Sequence, residues 1–258
     1  MELYNADCLE GMKRIPSGSV DFILADLPYA VTDCAFDKRI PFESMWEQFK
    51  RVTKENAAIA LFAQGKFQIE LAYSNLKMYR YKWVWHKNIG VNFLNAHKMP
   101  MREHEDILIF YRCLPTYNPQ WTYGKPYVKE GFHGSENYKM FDGKKGWKFY
   151  HKESSDGRRY PRDVLEFKLP FSGGKGDKSH PTQKPVDLLE YLIRTYTNEG
   201  ELVLDATMGS GSTGVACVNT GRDFIGFETE KKFYDVACER IAKAQTEREQ
   251  NLFKGVAV

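Results

Sequence analysis

The stretch Leu202-Val203-Leu204-Asp205-Ala206-Thr207-Met208-Gly209-Ser210-Gly211-Ser212-Thr213-Gly214 decides how this chain is read. A short apolar strand pattern runs into an acid, a glycine-rich turn follows, and a helix pattern opens at Ser212. Gly209, Gly211 and Gly214 satisfy G-x-G-x-x-G, in which glycines let the backbone approach a ligand closely with a helix N-terminus behind it. Phe224-Ile225-Gly226-Phe227-Glu228 reads as the next strand, and an acid at that strand end can hold two ribose hydroxyls. The unit predicts an adenosine-containing cofactor. A plain helix-start turn, its glycines relieving packing, is the other reading of the same residues.

The β–α alternation extends outward on both sides. Lys231 to Glu249 is a helix with Phe233, Ala237, Ile241 and Ala244 on one face. Val186 to Tyr196 is amphipathic, with Leu189, Leu192, Ile193 and Tyr196 inward. Towards the N-terminus, strand patterns at Glu2–Asn5, Val20–Ala25, Ala57–Phe62, Lys82–His86 and Asp106–Tyr111 alternate with helix patterns at Phe42–Thr53 and Phe67–Leu76. Such continuously apolar strands are covered on both faces. The pattern predicts an α/β fold with a doubly wound, mostly parallel sheet.

At 258 residues the chain fits one large domain, or a domain with an insert. Between Cys113 and Ser179 the periodicity is lost amid prolines and glycines, so 113–179 is predicted as an insert in a domain formed by 1–112 and 180–258. From Trp121 to His180 there are 13 Lys/Arg against 8 Asp/Glu, and ten aromatics fall between Trp121 and Tyr160. Basic side chains interleaved with stacking rings suit nucleic acid; a solvated loop region with a small aromatic core fits the composition equally well.

The chain is 42% apolar and 28% charged, which excludes disordered and fibrous classes. Its longest apolar run, Ala57 to Ala63, is too short to span a membrane. The first residues lack signal-peptide character, so a cytoplasmic protein is expected. The five cysteines are odd in number and form no C-x-x-C, and the six histidines form no H-E-x-x-H, so no metal is expected.

Two further constellations carry chemistry. Asp26-Leu27-Pro28-Tyr29 follows the strand Val20–Ala25, at the carboxyl end where ligands bind in open α/β sheets. The Asp26 carboxylate and the carbonyl before Pro28 can accept both hydrogens of an exocyclic amine and orient its lone pair. Tyr29 can stack on a base taken out of a duplex. His180-Pro181-Thr182-Gln183-Lys184-Pro185 leads into the helix at Val186, with Thr182 as its cap and Pro185 in its first turn.

Together and in this order, these motifs resemble those of the permuted beta group of amino-DNA methyltransferases: D-P-P-Y, then H-P-x-x-K-P, then D-P-F-x-G-S-G-T-T. Asn5-Ala6-Asp7-Cys8-Leu9 resembles the group's opening motif, whose acid meets the cofactor's adenine. Gly226-Phe227-Glu228 resembles its ribose motif. Trp85-His86-Lys87-Asn88 and Glu103 to Leu108 resemble its later strands. The resemblance covers roughly residues 1–112 and 180–245. Leu27 replaces a proline where only the carbonyl is needed, and Ala206-Thr207 replace Pro-Phe in the cofactor motif.

The resemblance implies a seven-stranded, Rossmann-like, circularly permuted methyltransferase sheet with an inserted target-recognition segment. It implies S-adenosylmethionine as cofactor and methyl transfer to a flipped-out adenine N6 in duplex DNA. Asp26, Leu27, Pro28 and Tyr29 become the catalytic residues. Asp7, Cys8, Asp26, His180, Thr182 and Lys184 are implied at the cofactor, with Asp205, Ala206, Thr207, Gly209, Ser210, Gly211, Thr213 and Glu228 of the turn and the strand after it. Lys87, Lys144, Lys145, Lys148, Arg158 and Arg159 are expected at DNA. A homodimer and a cognate restriction enzyme are the partners such proteins take.

A carboxylate at position 26 activates cytosine N4 as well as adenine N6. The preference for adenine rests on the resemblance, since the cytosine enzymes usually carry Ser there. Cytosine-C5 chemistry needs a Pro-Cys pair, and no cysteine here follows a proline. A nucleotide-dependent oxidoreductase would leave Asp26–Tyr29 and His180–Pro185 without a task. An inactive DNA-binding module would not need Asp26 and Tyr29.

Overall fold

A computed structural model of the chain describes residues 1–29, 38–129, 152–170 and 183–255. Its helices are α1 (Cys8–Met12), α2 (Phe42–Val52), α3 (Gly65–Ser74), α4 (Val186–Tyr196), α5 (Ser212–Thr220) and α6 (Lys231–Gly255). The strands of the main sheet are β1 (Glu2–Tyr4), β2 (Val20–Ala25), β3 (Thr53–Ala63), β4 (Tyr79–Val91), β5 (Arg102–Phe110), β10 (Val164–Glu166), β11 (Leu202–Asp205) and β12 (Asp223–Phe227). Four short strands form two further pairs: β6 (Thr122–Tyr123), β7 (Tyr127–Lys129), β8 (Lys152–Ser154) and β9 (Arg158–Arg159).

The sheet order is β1-β12-β11-β2-β3-β5-β4-β10, with β5 antiparallel to both neighbours and the other pairings parallel. It has eight strands, one more than expected. The eighth, β10, pairs in parallel with β4 and comes from within 113–179. That range therefore divides: Pro119–Arg162 is a compact unit of its own, and Asp163 onward belongs to the unit that contains the sheet.

The sheet is covered on both faces, as its apolar strands require. One face carries α4, α5 and α6, with Leu189, Leu192, Tyr196, Ala237 and Ile241 buried against Phe22, Ala60, Trp85 and Ile107. The other carries α1, α2 and α3, with Met12, Met45, Phe49 and Leu71 against Ile23, Ile59, Leu61 and Leu108. The expected inward stripes are buried except at their ends, where Phe42 and Phe233 are only half-buried. The short helix α1, absent from the apolar pattern, forms because Asp7 Oδ1 accepts the N–H groups of Leu9 and Glu10 at 2.9 and 3.1 Å. Pro185 is the N-cap of α4 rather than a first-turn residue; His180 and Thr182 lie outside the described residues.

In the smaller unit the rings of Trp121 and Tyr160 meet at 4.4 Å. Arg158 lies over Trp121 at 5.3 Å and Arg159 over Tyr127 at 4.8 Å. These are the interleaved cations and rings of the sequence, here packed on one another. Lys144, Lys145 and Lys148 lie outside the described residues.

Candidate active site

β11 and β2 are neighbours at the sheet's centre, and crossovers leave them in opposite directions. A crevice opens at such a switch point, beyond the strands' carboxyl ends. Asp205 ends one of these strands and Asp26 follows the other.

The glycine-rich turn is tied to both sides of this crevice. Asp205 is buried; its Oδ1 accepts the Thr207 N–H at 3.0 Å and its Oδ2 accepts the Thr213 hydroxyl at 2.6 Å. Thr207 Oγ1 donates to the main-chain carbonyl of Asp26 at 3.0 Å. The threonine at the position where the resembled group carries an aromatic ring thus fastens the glycine-rich turn to the end of β2. Across the turn, Glu228 accepts the N–H groups of Gly209 at 3.0 Å and Glu230 at 2.8 Å. Asn5 Nδ2 donates to the carbonyls of Glu228 and Thr229 at 2.8 and 3.0 Å, joining β1 to the same corner.

Several residues expected at the cofactor are buried. The Cys8 thiol is buried, and burial pushes it up to about 12. Ala206 is a core residue, and Ser210 is buried with its carbonyl and hydroxyl accepting from Arg240 of α6 at 2.5 and 2.9 Å. Gly211 has φ +78°, and a Cβ there would stand 2.9 Å from Ala237 Cβ. One at Gly214 would collide with Ile241 Cδ1. These two glycines let α6 pack closely on the turn, so the packing reading of the motif accounts for them. Gly209 and Glu228 are instead joined across the turn by the Gly209 N–H and the Glu228 carboxylate.

Asp7, Asp26, Asp205 and Glu228 bring four acids to this edge, with Lys184 as the cation beside them. Burial pushes Asp205 up to about 7, against the hydrogen bonds from Thr213 and Thr207, and Asp26 and Glu228 add to the rise. Burial also raises Glu228. Carboxylate acceptors for hydroxyls and an amine, in a net negative crevice, fit a cationic cofactor that carries adenosine.

The pH dependence of stability follows from Asp205. Its carboxyl titrates higher in the fold than its ordinary value of 3.8, so the folded chain retains a proton that the unfolded chain has lost. Its contribution is intact below about pH 4 and lost as pH rises towards about 7. Asp205→Asn is therefore expected to gain thermal stability relative to wild type between pH 5 and 8. Calorimetric melting of the ligand-free proteins across that range checks this; a constant gap between the two curves would contradict it.

Around Asp26 the structure assembles a chain of charges. Tyr29 donates its hydroxyl to Asp26 Oδ1 at 2.9 Å and stacks on Phe67 at 4.7 Å. Lys184 donates to Asp26 Oδ2 and lies 3.4 Å from Glu105 Oε2. Lys87 donates to Glu105 Oε1. Register explains the convergence: Leu24 pairs with Ala60, Phe62 with Ile107 and Glu105 with Trp85. By strand alternation, Asp26, Phe62, Glu105 and Lys87 then share one sheet face, with Lys184 lying over the Phe62 ring at 5.0 Å.

Lys87 is a correction to the DNA-facing set. It is 5% exposed and paired with a buried carboxylate, so it has no ammonium face to offer a phosphate. Lys184 sits against Asp26 and Glu105. Burial opposes its charge, but the two carboxylates prevail and hold the ammonium above its ordinary value. Glu105 takes no part in the expected site; it lies in the polar first half of β5 among Arg102, Glu103, His104 and Asp106, and no local sequence signal sets it apart.

A doubly wound, mostly parallel sheet with a glycine-rich turn and strand-end carboxylates at its switch point is the architecture of an S-adenosylmethionine-dependent methyltransferase. The chain belongs to the N6/N4 DNA methylase family, whose model matches residues 20–239. It is similar to the type II methyltransferase M.HpaI of Haemophilus parainfluenzae, with 27% identity over 250 residues, covering 92% of this chain and 72% of that one. Among solved structures it is similar to M1.HpyAVI in complex with S-adenosylmethionine, with a TM-score of 0.61 and 25% identity over 93% of this chain and 98% of that one. The cytosine-N4-specific PvuII DNA methyltransferase has the same fold, with a TM-score of 0.64 and 15% identity over 95% of this chain and 91% of that one. The cofactor is S-adenosylmethionine and the substrate is DNA. Among the described residues no helix is long and apolar enough to cross a membrane.

Proposed function

We propose that this chain transfers a methyl group to N6 of an adenine flipped out of duplex DNA at a specific site. The observation that carries the reading is the carboxylate of Asp26, next to the cofactor turn and oriented by Tyr29 and Lys184. The amine of a nucleobase is a poor nucleophile because its lone pair is delocalised into the ring. Asp26 and the Leu27 carbonyl accept its two hydrogens, draw the nitrogen towards tetrahedral geometry and free that lone pair. A charged acceptor does this about twice as strongly as a neutral one. Tyr29 presents a ring for the displaced base. Bound S-adenosylmethionine supplies the electrophilic methyl group on its sulfonium. Asp7 and Glu228 would hold its adenosine, with Gly209 at the turn.

Cytosine N4 would gain from the same acceptors, and the carboxylate at position 26, where the cytosine enzymes of the resembled group usually carry Ser, favours adenine. Nucleoside mass spectrometry on DNA treated with the purified protein tests this. N6-methyladenine is expected, and N4-methylcytosine without it would overturn the choice of base. The same reading places the protein in the cytoplasm and supplies a cognate restriction enzyme and a second copy of the chain as partners.

Residues 113–179 then carry DNA binding and sequence choice, on the strength of their charge and rings. Neutralising Lys144, Lys145 and Lys148 together is expected to lower DNA affinity and to flatten the dependence of log affinity on log salt. The slope falls by about 0.9 for each phosphate no longer neutralised. An unchanged slope would return the segment to a solvated loop.

A further inference from the structure

We propose that Glu105 is a second seat for the Lys184 ammonium, which moves from Asp26 to Glu105 Oε2 when the target amine engages Asp26. Glu105 is then a positioning residue that frees the catalytic carboxylate. The inference rests on the methyltransferase reading above.

Four observations carry it. First, both oxygens of Asp26 are already engaged, one by the Tyr29 hydroxyl and one by Lys184. An amine that must bond to Asp26 competes there with a full positive charge, which also weakens the carboxylate as an acceptor. Second, among the described residues Glu105 Oε2 is the buried side-chain oxygen without a hydrogen-bond partner. A buried carboxylate oxygen that has only a long ion pair and no hydrogen bond calls for a reason. Third, Lys184 Nζ is already 3.4 Å from that oxygen. Shortening this distance to hydrogen-bond length needs a shift of roughly half an ångström. Fourth, Lys87 fixes Glu105 by its other oxygen and is itself held over the Trp85 ring at 5.0 Å, so Oε2 stays beside Lys184.

The charge balance keeps the barrier to this movement low. Asp26, Lys184, Glu105 and Lys87 are two acids and two bases in alternation. Moving the ammonium between its two carboxylates changes no net charge and exposes none. Burial opposes ionisation of Glu105, yet Lys184 and Lys87 hold its carboxyl below the ordinary range, so the seat is anionic when the ammonium arrives.

The experiment compares wild type, Glu105→Gln, Lys184→Met and the double variant. It measures single-turnover transfer of tritiated methyl from S-adenosylmethionine to unmethylated DNA, with cofactor affinity by calorimetry on the same samples. Glu105→Gln is expected to slow transfer at least tenfold with cofactor affinity within twofold of wild type, because Lys184 is locked on Asp26. Adding Lys184→Met removes the lock, so the double variant is expected to be at least threefold faster than Glu105→Gln alone. A purely structural pair predicts losses that accumulate, and a double variant slower than either single would overturn the proposal. So would a Glu105→Gln rate within twofold of wild type. Should Glu105→Gln not bind the cofactor, Lys87→Met/Glu105→Leu removes the seat with apolar groups of similar volume. It carries the same expectation of slowed transfer and relief by Lys184→Met. A wild type that transfers no methyl to DNA removes the parent reading and this one with it.

Discussion

Asp26→Ala is expected to abolish measurable methyl transfer while leaving S-adenosylmethionine bound within a few-fold of its wild-type affinity. Removing one preorganised transition-state hydrogen bond typically costs about 10²–10³ in rate. Here the loss is larger, because the carboxylate also anchors the Tyr29 hydroxyl and Lys184. The cofactor side is insulated from the change. Thr207 reaches Asp26 through its main-chain carbonyl, which alanine retains, and Lys184 keeps Glu105 as a partner. A tritium-transfer assay paired with calorimetry decides the matter. Near-normal turnover would remove Asp26 from catalysis, and loss of cofactor binding would show that its side chain supports the turn.

Gly211→Val is expected to eliminate cofactor binding altogether. A branched side chain at φ +78° is strained before any neighbour is considered. Its Cβ would then meet both the Cβ and the backbone Cα of Ala237, at 2.9 and 3.0 Å, and the helix backbone cannot swing aside as a side chain can. Either the turn between Asp205 and Ser212 is rebuilt or α6 lifts from the sheet, taking Arg240 from Ser210. Both displace Gly209 from Glu228. The melting temperature should fall by several degrees as well, since about 1 kcal/mol corresponds to 2–4 °C for a chain of this size. Full cofactor affinity in the variant would show that the turn tolerates a different backbone.

The parts of the fold legible in the sequence are those specified locally. Val20–Ala25 and Leu202–Asp205 are short apolar runs closed by acids, and the elements they predict match the strands to the residue. The stripe of α4 likewise reads directly from its spacing. What is not legible depends on register between distant strands. Lys87 and Glu105 are ordinary charged residues in their own segments. Only the pairing of Glu105 with Trp85, and the arrival of Lys184 above them, makes them a buried pair. The same holds for β10, three residues with one buried side chain, whose strand character comes from the free edge of β4. The glycine motif is legible as a motif, but the packing role of Gly211 and Gly214 emerges only once α6 is in place.

The corner that joins Asn5 to Glu228 also bears on how the protein is made. The two residues stand 223 positions apart, so β1 waits for its sheet neighbour β12 while everything between them is translated. At about 5–20 residues per second the wait exceeds roughly ten seconds. Throughout it the corner that carries Glu228 is missing, and a nascent or prematurely terminated chain has Asp26 in hand but an incomplete sheet edge around it. Methylating capacity therefore appears in one step once β12 and the helix after it have been made, and shorter products, however abundant, leave the DNA unmarked.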